Sequence, residues 1–73
     1  MYLGYKEYNS TLNKNVFVVC LQGTQEDLLR VKNTSSYFSN DRFERLTYNQ
    51  IKRLHIDAID KSGKIIKLKK DFE

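Results

Sequence analysis

The chain has 73 residues, a net charge of +4, no Pro and no Trp, one Cys and one His, which fits one small domain over residues 1–73 and leaves no room for a second core. One cysteine excludes an internal disulfide, and one histidine excludes a His-pair metal site. No apolar run approaches the length needed to span a membrane.

Nine aromatic residues and 40% hydrophobic content predict a folded chain. So short a chain buries little apolar surface, so a homodimer or a protein partner would stabilise it. The lone thiol, and an opening without a charged-then-apolar leader pattern, predict a reducing, cytoplasmic location. The charge is uneven. From Gln50 to Lys70 there are seven basic residues against Asp57 and Asp60, whereas the first 49 residues are nearly balanced. A basic surface attracts anionic partners without specifying which.

Tyr2 to Tyr8 is rich in β-formers, with Leu3 and Tyr5 on one face and Tyr2, Gly4 and Tyr8 on the other. Gly4 marks a bulge or a close backbone approach. Asn9 to Asn15 reads as a polar connection, and Val16 to Leu21 as a central strand buried on both faces and paired with the first. Beyond Gly23, two readings compete. Thr24 with Glu26 and Asp27 looks like the capped first turn of a helix running to about Lys32. The alternation of Leu29 and Val31 favours a strand over Leu28 to Lys32, and the strand is the preferred reading.

Asn33 to Ser36 is a loop. Phe43 and Leu46 fit one helical turn capped by Ser39 or Asn40, while the alternation allows a strand from Arg42 to Tyr48. Thr47 and Gln50 form a capping box of the T-x-x-Q form, which predicts a short helical turn before Ile51 and Leu54.

Leu54 to Lys70 reads as an antiparallel hairpin. Asp60 to Gly63 suits a type I turn with Gly63 left-handed, closing a three-residue loop with a G1 bulge. Counting outward pairs Asp60 with Lys64, Ile59 with Ile65, Ala58 with Ile66, Asp57 with Lys67, Ile56 with Leu68 and His55 with Lys69. One face then carries Leu54, Ile56, Ala58, Ile66 and Leu68, and the other is basic. These elements predict a mainly β domain with one or two short helical turns, either a small SH3-like barrel or a curled antiparallel sheet ending in the hairpin.

Chemistry is sparse. Cys20 sits inside an apolar run where a small core residue is expected. Asp57 and Asp60, three apart on a strand, point to opposite faces and do not make a carboxylate pair. Gly4, Gly23 and Gly63 stand alone, so no phosphate loop exists. No enzyme activity, cofactor, metal or small-molecule substrate is expected, and a ribonuclease-type reading built on His55 ranks low.

Two binding readings remain. The first is a protein-interaction module, a regulator or inhibitor of the kind phage or mobile elements encode, docking through Tyr37, Phe38, Arg42, Arg45 and Tyr48. The second is a nucleic-acid-binding module that sets Lys52, Arg53, His55, Lys67 and Lys69 against phosphates. The interaction module ranks first, because a charge of +4 is modest for a dedicated nucleic-acid binder.

Overall fold

A computed structural model describes residues 1–70. Its centre is a β-hairpin of β1 (Tyr2–Asn9) and β2 (Lys14–Gln22). The connection is built from asparagines: Asn9 Oδ1 accepts the Leu12 N–H at 2.9 Å, and Asn13 takes the left-handed conformation that Asn tolerates better than most residues. β2 is covered on both faces, as its continuous apolar run predicts.

The register of this hairpin slips between Leu3 and Gly4: Leu3 faces Leu21, whereas Gly4 faces Val19. Cys20 is the extra residue, so the strand bulges there. The bulge lets both Cys20 and Leu21 join the cluster around Leu3, Leu28 and Phe43. Gly4 meets both predictions made for it, since a Cβ on Gly4 would stand 1.9 Å from the Val18 carbonyl oxygen.

Beyond β2 the preferred strand reading fails. Gln25–Thr34 is a helix, α1, with Thr24 Oγ1 accepting the Asp27 N–H at 3.1 Å and acidic Glu26 and Asp27 in its first turn. Helical spacing puts Leu28 and Val31 on one face, against Leu3 and Phe43. The Leu29 and Val31 alternation is incidental, as Leu29 is exposed.

The chain then turns into β3 (Glu44–Leu46), which pairs antiparallel with β1. This is a shortened form of the strand reading over Arg42 to Tyr48. α2 (Tyr48–Arg53) follows, and its capping box forms with both reciprocal bonds: Gln50 N–H to Thr47 Oγ1 at 3.1 Å and Thr47 N–H to Gln50 Oε1 at 2.8 Å. β4 (Asp57–Ile59) completes the sheet by pairing parallel to β2.

The strand order is β3-β1-β2-β4. The sheet is therefore open and mixed, neither a barrel nor purely antiparallel, with β3 and β4 as opposite edges. The helix with its flanks thus carries the chain under the sheet, from one edge to the other. That crossover forces the parallel pairing.

Successive residues of β1 and β2 face opposite ways, and each face has a cover. Tyr2, Phe17, Val19 and Ala58 pack with Ile51 of α2, with Ile56, Ile66 and Leu68 closing over them. Leu3 and Leu28 pack with Phe43, while Val16, Val18 and Ile59 pack with Tyr5 and Leu12. Ile59 was placed on the hairpin's outer face by the pairing, yet it is buried because a two-sided sheet has no solvent face there.

The hairpin at the end of the chain is correct at its tip and wrong along its arms. Asp60 N–H donates to Lys64 O, Ile59 bridges Ile65, and Ile66 N–H donates to Ala58 O, in the expected register. Gly63 has φ 91°. Beyond Ala58 and Ile66, no ladder joins Asp57 to Lys67, Ile56 to Leu68 or His55 to Lys69 among the described residues. Leu54 caps α2 and is 38% exposed, not a core residue.

Asp60 organises the tip. Its Oδ1 accepts from Ser62 Oγ at 2.6 Å, Ser62 N–H at 2.9 Å and Lys64 N–H at 3.0 Å, and these bonds, the Ser62 hydroxyl foremost, hold its pKa below the ordinary carboxylate value. A lowered folded pKa means that the bonds stabilise the tip above the unfolded value of about 3.9 and weaken as pH falls through the folded one. The Ser62 and Lys64 amide resonances should therefore titrate together below about pH 4. An Asp60→Ala variant should lose that transition.

Candidate docking cleft

The splayed hairpin arms leave a cleft of about 260 Å³. Its floor is apolar, from Ile51, Ala58, Ile66 and Leu68, and Ile65 stands 54% exposed at its mouth. Tyr48 and Lys52 of α2 form one wall, and Lys67 stands on the opposite arm.

Three of the residues expected to pair across the arms are attached elsewhere. Asp57, expected to face Lys67, is bound instead by the Lys14 ammonium across the β2–β4 pairing. Lys69, expected opposite His55, is held by the buried Tyr2 hydroxyl, which donates to Lys69 O at 2.8 Å and accepts from Lys69 N–H at 2.5 Å. His55 sits at φ 54° in the turn that ends α2, its N–H donating to Lys52 O at 3.2 Å. One arm follows the helix and the other follows Tyr2.

The cleft is positively charged. The Lys52 and Lys70 ammonium groups lie 5.4 and 5.5 Å from the Tyr48 ring centroid, within cation–π range. Among the described residues Asp57 is the one acidic residue in the lining, and its carboxylate is ion-paired with Lys14.

The aromatic stretch upstream is placed differently from the expected docking patch. Phe43 is 4% exposed, and Tyr37, Phe38 and Tyr5 pack against it at centroid distances of 5.2, 5.1 and 5.7 Å. Arg42 lies 4.2 Å over the Tyr5 ring, so its guanidinium is engaged. Of these four rings Tyr37 alone is largely exposed, at 59%, and Arg42 is exposed as well. The rings are chiefly core, because the loop over residues 35–43 must cover the sheet face that α1 leaves open.

That loop is fastened by Lys32. Its ammonium donates to Phe38 O at 3.2 Å, Asn40 O at 3.4 Å and Phe43 O at 3.1 Å. Lys32→Met keeps the stem and removes the charge. It should cost about 1 kcal/mol, because these charge-assisted bonds are partly solvated, and should sharpen amide exchange at residues 38–43. Unchanged exchange there would show that Lys32 is not the fastener.

The two sets of residues singled out in the sequence are thus redistributed. Tyr48, Lys52 and Lys67 come together at the cleft. Tyr37, Phe38 and Arg42 gather on the opposite face of the sheet, and Arg45 lies on β3 at the far edge, facing Leu3. Arg53 and His55 are exposed at the end of α2 and do not line the cleft. The floor residues and Lys70 were not recognised as a site, since nothing local indicates that the hairpin fails to zip. The four-residue spacing of Tyr48 and Lys52 on a helix was the one available signal.

A second hollow runs along Val19 to Gln22, beyond the reach of β4, bounded by Asp60 and Ile66. Cys20 borders it. Burial pushes this thiol's pKa up, with Lys61 and Arg42 pulling the other way, so the group is a neutral, half-buried packing residue at neutral pH. Among the described residues no cluster of three or more His, Cys, Asp or Glu is placed to hold a metal ion. No helix among them is long and apolar enough to cross a membrane. Compared with models of protein families, with curated proteins and with solved structures, the chain matches none.

Proposed function

We propose that this chain is a small non-enzymatic protein-interaction module that docks a segment of a partner protein in the cleft between α2 and the C-terminal arm. The observation that carries this reading is the combination of an apolar floor with two lysines at the rim, Lys52 and Lys67. An apolar centre within a polar rim is the anatomy of a protein-binding hot spot. The cleft is smaller than the roughly 300–1,000 Å³ of small-molecule sites, which suits insertion of a side chain better than enclosure of a cofactor.

Nucleic acid is the rival partner, and it would use the same lysines. It would leave the apolar floor uncovered, and Tyr48, the one aromatic ring in the cleft among the described residues, already has two ammonium groups against it.

A capture experiment in nuclease-treated lysate tests the reading. Lys52→Glu/Lys67→Glu should release specific protein partners held by the wild type. A control with equal charge change away from the cleft, Arg30→Glu/Lys61→Glu, should retain them. Loss of every partner on nuclease treatment would assign the surface to nucleic acid instead. Equal loss in both variants would remove the cleft from the account.

A further inference from the structure

Resting on that reading of the cleft, we infer that its occupant is an acidic, extended segment of the partner, alternating apolar and carboxylate side chains. An apolar side chain enters between the hairpin arms, onto Ala58, Ile66 and Leu68, while flanking carboxylates meet Lys52 and Lys67. Charge is the first argument. Among the described residues two lysines line the cleft, Lys70 stands against Tyr48 beside it, and the one acidic lining residue is ion-paired with Lys14. A basic segment would be repelled, and a neutral one would gain nothing from the rim cations.

Shape is the second argument. The floor spans the gap between the arms, from Ile56 to Ala58 on one side and from Ile66 to Leu68 on the other, where the ladder stops. A segment laid along that gap is extended, and in an extended segment alternate side chains point opposite ways. An inward apolar residue between outward acidic ones therefore matches an apolar floor with charged walls.

The test uses the full chain, isotopically labelled, with three short synthetic peptides and a single-stranded oligonucleotide as probes. The peptides alternate Glu with Leu, alternate Ser with Leu, or contain Glu alone. The Glu/Leu peptide should shift the amide resonances of Ala58, Ile66 and Leu68. It should bind about three- to tenfold more tightly than the Ser/Leu peptide, the combined effect of two exposed ion pairs. In Lys52→Gln/Lys67→Gln that advantage should vanish while the Ser/Leu affinity stays the same. Equal binding of Glu/Leu and Ser/Leu at the cleft would overturn the acidic occupant and leave the docking reading intact. Binding of the Glu-only peptide or the oligonucleotide as tightly as Glu/Leu would overturn the inference, because the floor would then contribute nothing. No shift at the cleft with any probe would overturn both.

Discussion

Gly4→Ala should be the most damaging single-methyl change in the molecule, costing about 3 kcal/mol or more. The added Cβ would sit 1.9 Å from the Val18 carbonyl oxygen and 2.9 Å from its carbon, well inside van der Waals contact. Both are backbone atoms of the central strand, so no side-chain rotation relieves the clash. The relief available is to part β1 from β2 at the bulge, and that breaks the one ladder to which both other strands attach. A chain of this length has a total stability of roughly 4–11 kcal/mol, so the loss should lower the urea midpoint steeply or unfold the protein outright. Gly63→Ala is the informative comparison. Gly63 has open space around it but a left-handed φ of 91°, so its cost should be about 1 kcal/mol. Equal effects at the two positions would contradict the close approach.

Tyr2→Phe should cost about 1–2 kcal/mol, the net value of losing two hydrogen bonds whose partners regain water. The ring itself is fully buried against Phe17, Ile51 and Ala58, and Phe preserves that packing. The hydroxyl ties β1 to Lys69, 67 residues away. Its loss should free the C-terminal arm, seen as faster amide exchange at Lys67 to Lys69 with little change in the centre of β2. The variant also separates two roles of that arm. If the splayed arms depend on the pull of Tyr2, the freed arm should zip further along β4 and the cleft should narrow. If exchange at Lys69 is unaltered, the hydroxyl is not what holds the arm.

Much of the fold was legible because the signals were local. The T-x-x-Q capping box, the Asp60 to Gly63 turn, the two-sided Val16 to Leu21 strand and the conformational demand at Gly4 each specify their own neighbourhood. What escaped was long-range. α1 was misassigned because Leu29 and Val31 alternate as in a strand, while the capping chemistry at Thr24, which favoured helix, carried the correct information. The parallel pairing of β4 with β2 depends on a crossover under the sheet, and no residue in β4 declares it.

The cleft was illegible for the same reason. Asp57 with Lys67 is a sound cross-strand pair by proximity, yet Lys14, 43 positions earlier in the chain, takes the carboxylate. His55 with Lys69 fails because one is held by a helix end and the other by Tyr2. A hairpin whose paired residues have partners elsewhere opens, and the opening is the candidate cleft. The upstream aromatics were attractive for their chemistry, but a small sheet with two faces to cover needs most of them inside.

Site-specific photocrosslinking is the most direct test of docking in the cleft. A photoreactive residue placed at Lys67, on the cleft wall, should give a discrete protein adduct in cell lysate that survives nuclease. The same group at Tyr37, on the opposite sheet face, should give none. An adduct from position 37 with nothing from position 67, or an adduct at 67 that nuclease removes, would contradict the account.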